Sequence, residues 1–101
     1  VKGLDAVYIG PSDLSLALGY APPARDDLEP PVEAAVERIL SGAKRRGVVA
    51  GIHNATPEGA AERIAQGFQF VTAGSDTRLL TAGSKDVIAR MGRRDGKPAP
   101  R

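Results

Sequence analysis

Three short apolar runs, at 5–10 (DAVYIG), 48–53 (VVAGIH) and 69–74 (QFVTAG), constrain the fold more than any other feature of the chain. Each is too short and too β-branched for a helix, and their interiors are nearly continuously apolar instead of alternating. Such runs read as strands of a parallel sheet that is covered on both faces or closed as a barrel. Between them the spacing turns helical. Val32, Ala35, Val36, Ile39, Leu40 and Ala43 recur at i, i+3, i+4 and i+7, so one stripe meets a sheet while Glu33, Glu37, Arg38 and Lys44 face water. Pro31 suits a first helical position and Gly47 a left-handed stop. A second helix opens at Thr56-Pro57-Glu58, buries Ala61, Ile64 and Ala65, and ends at Gly67. A third starts from Ser75-Asp76-Thr77 and packs Leu80, Val87, Ile88 and Met91, with Gly83 and Ser84 weakening its middle. With one short extra helix at 12–17, the order is β-α-β-α-β-α, an α/β fold. Residues 20–31, Pro-rich and charged, form a surface excursion inside the first βα unit.

Composition narrows the function classes. With 101 residues, 42% hydrophobic and 26% charged, the chain has the make-up of one globular domain. No apolar run approaches the ~20 residues that cross a bilayer, and no charged segment precedes an apolar one at the start. Neither a membrane partner nor a secretory signal is expected. The absence of Cys removes disulfides, thiolate metal sites and a cysteine nucleophile, and suits a cytoplasmic setting. Residues 1–84 hold eight Lys/Arg against ten Asp/Glu, whereas 85–101 hold six against two. The basic excess thus belongs to a flexible tail at 92–101, following a folded unit at 1–91. That tail has no aromatic residue to stack on a base, so no nucleic-acid partner is expected. Three parallel strands leave two open sheet edges. Together with Val1 in place of an initiator Met, this reads as a segment of a larger α/β barrel.

In βα architectures, function collects where strands end on their carboxyl side. The three ends here are Gly10-Pro11-Ser12-Asp13, Gly51-Ile52-His53-Asn54 and Ala73-Gly74-Ser75-Asp76. Glycine lets a backbone approach a ligand closely, and the N–H groups that open the next helix hold carboxylates or phosphates. Asp13, just past a strand and flanked by Gly and Ser, has two readings: a ligand for a hard divalent cation, or an N-terminal helix cap.

The stretch 3–15 (GLDAVYIGPSDLS) closely resembles the signature of the HpcH/HpaI aldolase family, the pyruvate-specific class II aldolases. Gly19-Tyr20, Ala50-Gly51-Ile52 and the block 67–80 (GFQFVTAGSDTRLL) resemble further family motifs in the same order, so the likeness covers about 3–91. The resemblance implies the last three βα units of a (β/α)8 TIM barrel of the phosphoenolpyruvate/pyruvate group. It implies reversible cleavage of 4-hydroxy-2-oxo acids to pyruvate and an aldehyde, a divalent metal cofactor (Mg, Mn or Co), and a homo-oligomer. Asp13 would then be one of two carboxylate metal ligands, and the Ser12 and Asp13 N–H groups, with Gly10 allowing close approach, would hold the pyruvate carboxylate.

The departures are informative. The resemblance puts the second metal-binding carboxylate, an arginine that polarises the keto oxygen and a proton-transferring histidine on earlier strands, so the isolated chain is expected to be weak or inactive. Its catalytic residues are unknown. His53 stands where relatives carry an apolar residue lining the substrate pocket, and reads either as a substrate-binding group or as a histidine hydrogen-bonded or solvated at a strand end. Asp76 reads as the cap of the last helix ahead of a ligand role, and Arg78 as a surface charge ahead of a substrate anchor. The apolar stripe of the last helix fits a neighbouring subunit or the chain's own core. A related acyl-CoA lyase and a non-catalytic α/β module are the alternative readings.

Overall fold

The computed structural model describes residues 1–92, so the basic tail expected at 92–101 lies, but for Gly92, outside the described residues. The chain runs β1 (Ala6–Ile9), α1 (Pro11–Ala17), α2 (Pro30–Arg45), β2 (Val49–Asn54), α3 (Pro57–Gln66), β3 (Phe70–Ala73) and α4 (Asp76–Arg90). The strands form one parallel sheet in the order β1-β2-β3. The register sets Tyr8 beside Gly51 and Gly51 beside Phe70, with Ile9, Ile52 and Val71 in the next row. β1 and β3 are shorter at each end than their apolar runs, and β2 lies one residue later, ending on Asn54 in place of His53.

Strand alternation divides the sheet into two unlike faces. On one, Ile9, Ala50 and Ile52 pack with Val36, Leu40 and Ala43 of α2 and with Phe68, and the partly buried Val7 and Val71 adjoin them. On the other, Tyr8 and Phe70 meet edge to face, ring centroids 5.5 Å apart. They remain 49% and 58% exposed, so the expected burial of both faces holds on one face only. A barrel interior is filled by side chains from strands on its far side; three strands put nothing there. Gly51 has no side chain because none would fit: a Cβ would lie 2.7 Å from the Phe70 carbonyl oxygen and 2.9 Å from the Tyr8 ring.

The α2 stripe is as expected, with Val32, Val36, Leu40 and Ala43 buried. The helix begins at Pro30, one residue before the expected Pro31, and Gly47 follows it at φ +67°. Glu33 departs from expectation. Instead of facing water it is half-buried and bonds the guanidinium of Arg63, itself only 8% exposed. That hydrogen bond, with burial opposing it and the Glu33 charge adding to it, raises the Arg63 pKa further above its ordinary value.

α3 is capped as expected, with Thr56 Oγ1 accepting from Gly59 N at 3.0 Å and Gly67 in the left-handed region at φ +115°. Its buried face is not the expected one. Gly59, Ala60 and Arg63 turn inward, whereas Ala61, Ile64 and Ala65 are exposed. α4 is continuous through Gly83 and Ser84 and buries none of its residues. Leu80, Val87, Ile88 and Met91, expected to pack, are 72%, 55%, 49% and 61% exposed. The reason is direction: α4 projects from the sheet instead of folding back onto it, and among the described residues no other element packs closely against it. No described helix is long and apolar enough to cross a membrane.

Candidate active site

The carboxyl ends of all three strands open on one side of the sheet. At the first, Gly10 ends β1 and caps α1, and its carbonyl accepts the first helical N–H, from Leu14, at 2.9 Å. Pro11 has no N–H, so Ser12 and Asp13 carry the two first-turn donors left without a helical acceptor. Asp13 is exposed, makes no side-chain hydrogen bond among the described residues, and folds back over Gly10. A Cβ on Gly10 would lie 2.8 Å from Asp13 Oδ2, so the glycine clears room for the carboxylate. The cap reading of Asp13 fails: the capping position is Gly10, and no side chain caps α1. Asp76 is likewise displaced as a cap, because Ser75 Oγ accepts from Arg78 N at 3.2 Å. Asp76 instead accepts from Thr77 N at 2.7 Å.

At the second strand end, His53 is half-buried and its Nδ1 lies 2.7 Å from Thr72 Oγ1. Thr72 Oγ1 in turn shares a 2.7 Å hydrogen bond with the Tyr8 hydroxyl, so a polar chain crosses the open face from β1 through β3 to β2. The hydrogen-bonded reading of His53 holds, and the residue also faces a cavity. Asn54 is buried and donates to the Thr72 carbonyl at 3.1 Å, which ties the ends of β2 and β3.

That cavity, of about 60 Å³, brings together Ser12, His53 and Arg78 with Arg25 and Asp26 of the Pro-rich excursion. Asp26 accepts from Ala55 N at 2.6 Å and from Thr56 N at 2.9 Å. Burial raises its pKa, yet the bonds from Thr56 and Ala55, with the Arg63 charge, outweigh burial and hold it below the ordinary value. Asp13 is not in the cavity wall; its carboxylate is exposed and lies against Gly10. The sequence did not single out Arg25 or Asp26, the latter because its hydrogen-bond donors lie at the head of α3, and it set a surface charge ahead of a substrate anchor for Arg78. Arg78 is exposed, and it lines this cavity as well.

Parallel βα units with polar groups gathered at the carboxyl ends of the strands define a piece of a βα-barrel protein. The chain belongs to the HpcH/HpaI aldolase/citrate lyase family, whose model matches residues 1–82. The hydroxypyruvate/pyruvate aldolase of Rhizorhabdus wittichii is 40% identical over 89 residues, covering 88% of this chain and 35% of that protein. A 4-hydroxy-2-oxo-heptane-1,7-dioate aldolase of Escherichia coli is 37% identical over 92 residues, 91% of this chain and 34% of that protein. A crystal structure of an HpcH/HpaI aldolase/citrate lyase family protein from Burkholderia cenocepacia superposes with a TM-score of 0.81 at 28% identity. It covers 88% of this chain and 34% of that one. The chain therefore spans about a third of the length of the relatives it matches.

Proposed function

We propose that this chain supplies part of the site of a metal-dependent class II pyruvate aldolase, which cleaves a 4-hydroxy-2-oxo acid to pyruvate and an aldehyde. One observation carries the reading: the free Asp13 carboxylate over Gly10, beside two N–H groups without helical acceptors. The Ser12 and Asp13 N–H groups bind the 2-oxo acid carboxylate, and Asp13 offers an oxygen to a divalent cation. Hard oxygen donors suit Mg²⁺, Mn²⁺ or Co²⁺. Among the described residues no group of three or more His, Cys, Asp or Glu could hold a metal, so Asp13 fits as one ligand and the others come from elsewhere. When bound, the cation supplies Lewis-acid stabilisation of the charge that develops next to the carbonyl. The exposed stripe of α4 supports a homo-oligomer, and the absence of Cys a cytoplasmic setting.

Deuterium exchange of the pyruvate methyl group in D₂O tests the reading without knowledge of the aldehyde. It is followed by NMR with and without Mn²⁺ or Mg²⁺, on this chain, on the longest form its reading frame encodes, and on Asp13→Ala. Metal-dependent exchange in the longest form, lost in Asp13→Ala, is the expected result. Exchange that survives the substitution, or none in the longest form, overturns the reading in favour of a non-catalytic α/β module.

A further inference from the structure

We propose that Arg25 and Arg78, with His53, form a subsite for an anionic group, a carboxylate or a phosphate, on the aldehyde half of the substrate. This rests on the aldolase reading for the identity of the substrate, but the anion subsite itself rests on the cavity. Its wall carries four charged side chains, Arg25, Asp26, Arg63 and Arg78. Two of these are answered inside the protein. Arg63 is held by Glu33 and also donates to Gln66 Oε1 at 3.1 Å, and Asp26 accepts the N–H groups at the head of α3. Arg25 and Arg78 make no ion pair and no side-chain hydrogen bond among the described residues. His53 spends Nδ1 on Thr72, leaving Nε2 as its ring nitrogen without a protein partner among those residues.

Position supports the assignment as much as charge does. Arg25 comes from the excursion after β1, His53 from the end of β2 and Arg78 from the first turn of α4, so three separate βα units converge on one space. Ser12, which carries one of the two N–H groups assigned to the 2-oxo acid, lines the same cavity. At about 60 Å³ the cavity has room for a few waters, each needing ~10–15 Å³ on the same measure. That is room for an anionic head group and not for a whole substrate. A wider groove of about 640 Å³ continues outward past Arg25, Ala55 and Arg78 to Lys85, and would hold the solvent side of a longer anion. A guanidinium fork suits both carboxylate and phosphate oxygens.

The test compares paired aldehydes in aldol addition to pyruvate: 5-oxopentanoate against pentanal, and glyceraldehyde 3-phosphate against glyceraldehyde. Wild type should favour at least one anionic member in kcat/KM, which also says whether carboxylate or phosphate is taken. Arg25→Met and Arg78→Met should each lower the anionic-to-neutral ratio by about tenfold or more, with Arg78→Lys recovering part of it. An unchanged ratio in both Met variants overturns the subsite. These assays use the longest form that the reading frame encodes; should that form show neither aldol addition nor pyruvate exchange, the aldolase reading fails on its own. Titration with inorganic phosphate and succinate, followed by NMR at His53 and the arginine side chains, then decides the subsite. Binding lost in Arg78→Met supports it, and binding equal in the variant, or absent from wild type, overturns it.

Discussion

Removing the Asp26 carboxylate should loosen the molecule at one identifiable place, the junction of β2 and α3. Asp26 accepts from Ala55 N at 2.6 Å, from Thr56 N at 2.9 Å and from the Thr56 hydroxyl at 2.5 Å. These donors stand at the positive end of α3, where a carboxylate is favoured, and Asp26 lies so close that a Cβ on Gly59 would overlap it. A hydrogen bond to a charged group contributes about 1.5–3 kcal/mol, and in a part-buried setting water recovers some of that when the acceptor is removed. Asp26→Ala should therefore cost about 2–3 kcal/mol, or about 10 °C in Tm for a chain of this length. The pH dependence has a definite sign. Because the folded carboxyl is held below its ordinary value, its charge adds stability above the unfolded pKa and loses it as pH falls through the folded one. In urea unfolding, the gap between wild type and Asp26→Asn should be full at pH 7 and close below about pH 4. Amide exchange at Ala55 and Thr56 should accelerate in both variants. A gap under about 0.5 kcal/mol at pH 7, one that ignores pH, or unchanged exchange at those amides would refute the reasoning.

Two further variants examine the open face and the projecting helix. Gly51→Ala places a methyl against the Phe70 carbonyl and the Tyr8 ring, and the carbonyl cannot retreat without breaking the β2–β3 ladder. It should cost about 1–3 kcal/mol, and thermal unfolding within about 0.5 kcal/mol of wild type would sink the steric account. Leu80→Glu combined with Ile88→Glu should lower the mass seen by sedimentation equilibrium if the α4 stripe joins copies of the chain. A wild type that sediments as a monomer removes that role.

What the sequence disclosed was local, and what it withheld was long-range. The strands and the α2 stripe were legible because period and punctuation, such as Thr56 before α3 and Gly47 after α2, are carried by neighbouring residues. The face of α3 was not. Ala61, Ile64 and Ala65 are as well spaced for burial as Ala60 and Arg63, and the choice falls to partners some thirty residues away. Glu33 neutralises Arg63 where it turns inward, and Asp26 fills the space over Gly59. α4 shows a further limit, since an apolar stripe announces that something covers it without saying what. The site divides in the same way. Gly10, Ser12 and Asp13 lie in one short segment and could be read together. Arg25, His53 and Arg78 are scattered over three units, and only folding assembles them around one cavity.

The open face of the sheet and the proposed sharing of the Asp13 site with other residues would have a common origin in barrel geometry. Val7, Ile9, Ala50, Ile52 and Val71 pack on or against the helical core, so helix packing accounts for one row of each strand. The other row, Tyr8, Gly51, Phe70, His53 and Thr72, is held across the strands by an aromatic pair and the Tyr8–Thr72–His53 hydrogen bonds. In a closed barrel that row would be covered by strands on the far side, and β1 and β3 would each gain a second neighbour. The chain aligns with only 34% of a solved relative, which leaves such strands outside the matched third. Additional metal ligands, if they come from those strands, would arrive with the side chains that bury Tyr8 and Phe70. On the proposed aldolase reading, closure of the inner face and completion of the Asp13 site would then be one structural event. Inner-face order and metal-dependent pyruvate exchange should therefore rise together as the protein is lengthened.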